Sequence, residues 1–127
     1  MHDDSTGYRR DGLTERIIGC AYAVANILGV GFLERVYENA LVHELRKAVL
    51  KVAPQAPVQV VYDSVVIGEY VVDILVEDTV LVELKAVKAL DDIHLAQGLN
   101  YLKATGHRVC LLLNFGVPHI EVRRISL

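Results

Sequence analysis

The sequence predicts a single α/β domain in which helices cover a mixed β-sheet, with elements in the order ααβββαββ. Three observations lead to this fold class. Apolar residues recur at helical spacing in the first third of the chain, they follow strand patterns after the prolines at 54 and 57, and one more helical segment separates the third strand from the last two. At 127 residues the chain is long enough for one domain with a substantial core.

The first half is expected to contain two helices. Residues 1–12 are polar and are predicted to form a flexible arm before the domain at residues 13–127. Helical spacing runs over about 13–28 and stops at Gly29, and a second helix is predicted from about Phe32 to Lys47, with Leu33 and Val36 among its inward residues. Pro54 and Pro57 are expected to break the chain into a linker.

The second half is expected to form the sheet and one more helix. Strands are predicted at 58–63, 66–76 and 80–87. Asp91 and Asp92 are typical of a helix start, and that helix is predicted to run to about Ala104 and stop at Gly106. The run 108–114, which is apolar between Arg108 and Asn114, predicts a strand buried on both faces, and a last strand is predicted at 120–125.

Three charged residues interrupt the apolar strands at 66–76 and 80–87: Asp73, Glu83 and Lys85. Burying an unpaired charge costs several kcal/mol, so such residues need partners or a metal ion. The two-residue period of a strand places Glu83 and Lys85 on one face. Asp73 joins them only if the intervening loop has an odd length, such as 77–79, because a two-residue turn would place it on the opposite face. We expect the odd loop, since the three charges then converge.

The predicted helices also carry polar side chains on apolar faces. Glu34 and Tyr37 lie three residues apart, so Glu34 either points into a cleft or simply interacts with the helix dipole at the first turn. In the third helix, Gln97 and Tyr101 share a face, with His94 before them. Gln and Tyr can bind a phosphate, although packing is the simpler explanation for each residue alone.

Taken together and in order, these residues resemble the GxxExxY family of the PD-(D/E)XK nuclease superfamily. The resemblance runs from Ile17 to Arg124 and rests on five separated segments: Gly31 with Glu34 and Tyr37, Asp73, Glu83 with Lys85, Gln97 with Tyr101, and 113–116 (LNFG). Two departures stand out. The proline that names the superfamily motif is Val72 here, and Ala25 precedes Asn26 where family members often carry a histidine.

The resemblance implies a restriction-endonuclease-like core and a catalytic site of six residues: Glu34, Asp73, Glu83, Lys85, Gln97 and Tyr101. Asp73 and Glu83, with Glu34 from the helix, would bind Mg²⁺ or Mn²⁺, which prefer oxygen ligands. Lys85 would act as the charged catalytic partner. The expected function is metal-dependent hydrolysis of phosphodiester bonds in nucleic acid, with DNA the favoured substrate.

Composition limits the alternatives. A net charge of −3 argues against a protein that coats nucleic acid with a broad basic surface, but it does not exclude a nuclease whose acids bind a cation. No apolar run is long enough to cross a membrane, and the first residues do not resemble a signal peptide, so a cytoplasmic protein is expected. Because 53% of the residues are apolar in a short chain, we also expect self-association as a homodimer.

Two other functions compete with catalysis. A catalytically silent domain of the same fold would bind nucleic acid or a protein partner, but such a module has no need for mutually repelling acids beside Lys85. A hydrolase with a cysteine nucleophile is disfavoured, because Cys20 and Cys110 lie in apolar segments without a neighbouring histidine. The two cysteines and scattered histidines also lack the spacing of a zinc site.

Overall fold

A computed structural model describes residues 12–127, which form three helices and five strands in the expected order. The elements are α1 (Gly12–Leu28), α2 (Glu34–Lys47), β1 (Val52–Tyr62), β2 (Val65–Val76), β3 (Val80–Lys85), α3 (Asp92–Thr105), β4 (Val109–Asn114) and β5 (Glu121–Ser126). The arm expected at residues 1–12 lies outside the described residues, apart from Gly12, which begins α1.

The five strands form one mixed sheet in the order β1-β2-β3-β4-β5. Only β3 and β4 are parallel, because α3 connects them, and the other neighbours are antiparallel. Helices α1 and α2 pack on one face of the sheet, whereas α3 packs on the other, so each face buries its own apolar cluster. The predicted α/β architecture is therefore confirmed. None of the helices within residues 12–127 has the length and apolarity needed to span a membrane.

The linker expected around Pro54 and Pro57 is wrong, because both prolines lie within β1. This strand begins at Val52 and pairs with β2 along most of its length. It is also an edge strand, with a free side on which a residue that cannot donate a backbone hydrogen bond is tolerated. The position in the sheet thus overrides the local preference of proline.

Helix α2 begins at Glu34 and not at Phe32. The Tyr37 hydroxyl explains the late start, because it donates to the Gly29 carbonyl at 2.6 Å and accepts from the Phe32 N–H at 3.2 Å, which holds the preceding loop outside the helix. Leu33, expected to face inward, is the extended N-cap residue and is 79% exposed, and Val36 is also exposed.

The β1–β2 hairpin extends beyond the rest of the sheet. Strand β2 pairs with β3 only over Ile74–Val76, and no other strand within residues 12–127 pairs with residues 65–72 on that side. The extension carries most of the exposed large apolar residues of the hairpin: Val61, Tyr62, Val65, Val66, Ile67, Tyr70 and Val71. Homodimer formation stays a prediction, and a dimer would bury this apolar surface.

Residues 114–116 lock the chain that follows β3. The buried Asn114 side chain accepts from the backbone N–H groups of Val87 and Gly116, both at 3.0 Å, and donates to the Val87 carbonyl at 3.0 Å. These contacts turn the chain at Val87 away from the strand direction. For this reason β3 ends at Lys85 and not at Val87, as the sequence had predicted. A Cβ atom at Gly116 would collide with the backbone of Ala86 and Val87.

Gly116→Ala should therefore lower the free energy of unfolding by about 2–3 kcal/mol, because the added methyl group meets backbone that cannot move aside. The matched control is Gly19→Ala in α1, where nothing lies within 4 Å of the added Cβ. Since alanine favours a helix, this control should be neutral or stabilising by up to about 1 kcal/mol. Urea denaturation measures both, and equal stabilities would contradict the close approach at Gly116.

Candidate active site

The loop between β2 and β3 decides where Asp73 lies. Val76 pairs with Val80 and Ile74 pairs with Val82, so the connection is the three-residue loop 77–79. The odd loop is therefore confirmed. Continuing the same register by one residue brings Asp73 opposite Glu83, at the point where the two strands separate.

The two acids bind the backbone of each other's strand. The Asp73 N–H donates to Glu83 Oε2 at 2.7 Å, and the Leu84 N–H donates to Asp73 Oδ2 at 2.8 Å. Side-chain oxygens thus continue the hydrogen bonding beyond the last backbone pair of β2 and β3, Ile74 with Val82. The carboxylates hold the strands together where regular pairing has ended.

Asp73 also lies at an irregularity in β2. Ile74 is buried in the cluster beneath α1 and α2, whereas Val72, two residues earlier, is buried in the cluster beneath α3. In a regular strand these two residues would share a face. Across from this point, Gln55 has a left-handed backbone with φ 54° and does not pair with Asp73, although pairing is regular on both sides. The two-residue period of a regular strand therefore does not predict the surroundings of the Asp73 side chain.

Burial makes both acids hard to ionise. Burial, followed by the charge of the neighbouring Asp73 carboxylate, raises the pKa of Glu83 to about 8. Burial also raises the pKa of Asp73, while the hydrogen bond from Leu84 opposes that shift. A divalent cation beside the pair would offset this cost by supplying opposite charge.

The residues expected from β3 and α3 meet beside this pair. Lys85 Nζ donates to Gln97 Oε1 at 3.2 Å, which joins the end of β3 to α3. Tyr101 is buried, and its pKa is raised to about 12, first by burial and then by the charges of Glu83 and Asp73. His94 instead completes the N-terminal cap of α3 and accepts the Asp91 N–H through Nδ1 at 3.1 Å.

Gly98 explains how α3 comes so close to the sheet. A Cβ atom at this position would lie 2.7 Å from Ile125 Cδ1 and 3.4 Å from Cys110 Sγ. Glycine lets the helix backbone approach without displacing the end of the Ile125 side chain. The approach brings Gln97 and Tyr101, on either side of Gly98 in the sequence, to the acids of β2 and β3.

Two acids of helix α2, Glu34 and Glu38, raise the pKa of Asp73, and the sequence predicted only Glu34 as a site residue. Glu34 is exposed at the first turn, and its charge raises the pKa of both Asp73 and Glu83. Glu38, one turn later, is only 5% exposed and raises the pKa of Asp73 more than Glu34 does. The sequence does hold a signal for it, because Glu38 lies at helical spacing from the buried Leu41 and Leu45.

The donor set suits a hard cation. Asp73 and Glu83 provide paired carboxylate oxygens in a buried setting, the type of ligand that Mg²⁺ and Mn²⁺ prefer. Within residues 12–127, no group of three or more acidic, histidine or cysteine side chains is already gathered around one point. Glu34, the third expected ligand, is therefore near enough to act through its charge but does not complete a three-acid cluster in this conformation.

The raised pKa of Glu83 predicts how metal-free stability depends on pH. The unfolded chain releases the proton near pH 4.5 and the folded chain near pH 8, so the folded state holds more protons between these values. Stability should therefore fall as pH rises from about 5 to 8, by roughly 3–6 kcal/mol from this group. Glu83→Gln should remove most of this loss. Urea denaturation at several pH values in the presence of a chelator measures it, and equal pH profiles for the two proteins would contradict the strained pair.

Comparison with known proteins agrees with this geometry. Residues 11–125 match the family model of the PD-(D/E)XK nuclease superfamily, which covers nearly the whole chain. Searches of the curated proteins and of the solved structures gave no significant match. The paired acids on adjacent strands, the lysine two residues after the second acid and the family match lead to one conclusion: the chain belongs to the PD-(D/E)XK nuclease superfamily.

Proposed function

We propose that this protein is a metal-dependent nuclease that hydrolyses phosphodiester bonds of nucleic acid, with DNA as the favoured substrate. The observation that carries the proposal is the meeting of Asp73, Glu83 and Lys85 where β2 and β3 separate. Glu83 is buried, and the neighbouring Asp73 raises its pKa, so placing the two acids together costs stability and calls for a function.

In this proposal Asp73 and Glu83 hold Mg²⁺ or Mn²⁺, assisted by the charge of Glu34 from α2. A bound cation would polarise a phosphate oxygen and lower the pKa of a water molecule. Each carboxylate accepts a backbone N–H through one of its two oxygens, Oδ2 of Asp73 and Oε2 of Glu83. Each has a second oxygen, so a ligand bond and a backbone hydrogen bond are compatible.

Lys85 supplies positive charge at the phosphate. Its ammonium group donates to Gln97, which orients the flexible lysine side chain from α3. A lysine held in this way can stabilise the negative charge that develops on the phosphate oxygens during hydrolysis. Tyr101 closes the site on the α3 side, and its buried phenol stays protonated at neutral pH.

We also propose membership of the GxxExxY family within the superfamily. Tyr37 stacks on Phe115 with ring centroids 4.8 Å apart, so two of the segments that carry the resemblance contact each other. The Tyr37 hydroxyl ties down the loop that contains Gly31, whose φ of 110° favours glycine. These residues support Glu34 at the start of α2 and do not themselves take part in the chemistry.

A second candidate is a catalytically silent subunit that binds nucleic acid or a protein partner. It is favoured by the hydrogen bonds that the two acids already accept from the backbone, since these give the carboxylates a structural role without a metal. Metal binding and cleavage separate the two candidates.

Mn²⁺ should raise the thermal stability of the wild-type protein at pH 8. At a concentration 100 times the dissociation constant the gain is about 2.7 kcal/mol, or several degrees in Tm. Glu83→Ala should abolish the shift by removing a ligand. Glu69→Ala is the matched control, because Glu69 is an exposed acid on β2 whose partner is Gln59. Thermal denaturation with and without Mn²⁺ measures the effect, and an equal shift in Glu83→Ala would exclude this metal site.

Lys85→Ala should separate binding from chemistry. The variant should still bind Mn²⁺, since its ligands remain, while cleavage of labelled DNA falls about 10²–10⁴-fold. Gln97→Ala should bind Mn²⁺ normally and lose roughly tenfold in cleavage, because Lys85 is present but less well oriented. The exposed Lys88→Ala is the control and should cleave normally. If wild-type protein neither binds Mn²⁺ nor cleaves DNA or RNA, the silent subunit replaces the nuclease.

A further inference from the structure

Gln55 combines a strained backbone with an unusual contact. It lies in β1 with φ 54°, a conformation that non-glycine residues in strands rarely adopt. Its side chain reaches from the sheet to α2, where Nε2 lies 3.0 and 2.9 Å from the two carboxylate oxygens of Glu38. A strained residue of this kind persists only where its surroundings hold it in place.

Glu38 depends on this contact. Its carboxylate is buried, and burying an acid without hydrogen bonds is unfavourable. Its ion-pair partner is Arg35, whose Nε lies 3.8 Å from Glu38 Oε1 and whose side chain is 64% exposed. An exposed ion pair at that distance is weak, so Gln55 provides the better partner.

The contact lies level with the proposed metal ligand. Gln55 would pair with Asp73 if β1 and β2 were regular, but pairing skips these two residues. The reversal of side-chain direction between Val72 and Ile74 occurs at the same level. The irregularity leaves the Asp73 carboxylate facing β3, where it accepts the Leu84 N–H.

We propose that the Gln55–Glu38 contact is a positioning device for Asp73: by anchoring the left-handed residue of β1 to α2, it maintains the local irregularity of β2 that turns the Asp73 carboxylate onto β3. Gln55 and Glu38 are thus positioning residues that act through Asp73. The role in catalysis rests on the proposed nuclease function, whereas the effect on Asp73 is a property of the metal-free fold.

Gln55→Gly tests this device most directly, because glycine adopts a positive φ without strain but cannot reach Glu38. In metal-free protein, amide hydrogen exchange at Leu84 should become at least tenfold faster relative to the amides of β4, since Asp73 no longer holds that N–H. Mn²⁺ affinity should fall about tenfold. Gln59→Gly is the matched control: Gln59 is in the same strand, and its contact with Glu69 is exposed and long at 3.4 Å.

Glu38→Gln tests whether the hydrogen bond is what matters. The amide oxygen at this position still accepts from Gln55, so Leu84 protection should stay close to that of the wild-type protein, whereas Glu38→Ala should behave like Gln55→Gly.

The proposal is overturned if Gln55→Gly and Gln59→Gly exchange alike at Leu84. It is also overturned if Gln55→Gly loses protection equally throughout β3 and β4, which would make the contact a general stabiliser. If the wild-type protein does not bind Mn²⁺, the nuclease function fails, but exchange at Leu84 still decides this proposal.

Discussion

The separation of β2 from β3 is the constraint on which the site depends. Beyond Ile74 and Val82 the two strands no longer pair through their backbones, and carboxylate oxygens of Asp73 and Glu83 accept the N–H groups instead. Buried N–H groups need acceptors, so the acids satisfy a structural demand created by the splitting of the sheet.

This arrangement places two acids in a buried part of the sheet, where ionisation is unfavourable. Glu83 is 4% exposed and lies beside a second acid, so ionisation of the pair is opposed by both desolvation and repulsion. One backbone hydrogen bond to each acid and the nearby Lys85 offset only part of that cost. The paired acids therefore lower stability, and the apolar clusters on the two faces of the sheet supply the stability that they remove. In our proposal the pair gives the protein its affinity for cations.

Several residues that distinguish the sequence act as supports around the site. Tyr37 and Phe115 stack beneath the first turn of α2, and Asn114 and Gly116 hold the chain that follows Lys85. Each of these residues fixes an element that carries one of the proposed site residues. Glu38 and Gln55 belong with them in our proposal, since they connect α2 to the strand opposite Asp73.

The sequence by itself determined the order of the elements and most of the site. Periodicity is a local property, so the helices and strands and the shared face of Glu83 and Lys85 followed from residue spacing. The three-residue loop at 77–79 followed from the expectation that the three charges converge. The tertiary structure decided what depends on neighbours distant in the chain. Edge position admits Pro54 and Pro57 into β1, burial raises the pKa of Glu83, and the left-handed Gln55 meets Glu38 seventeen residues away. These features depend on which surfaces pack together, and spacing along one segment carries no information about the partner that a side chain will meet.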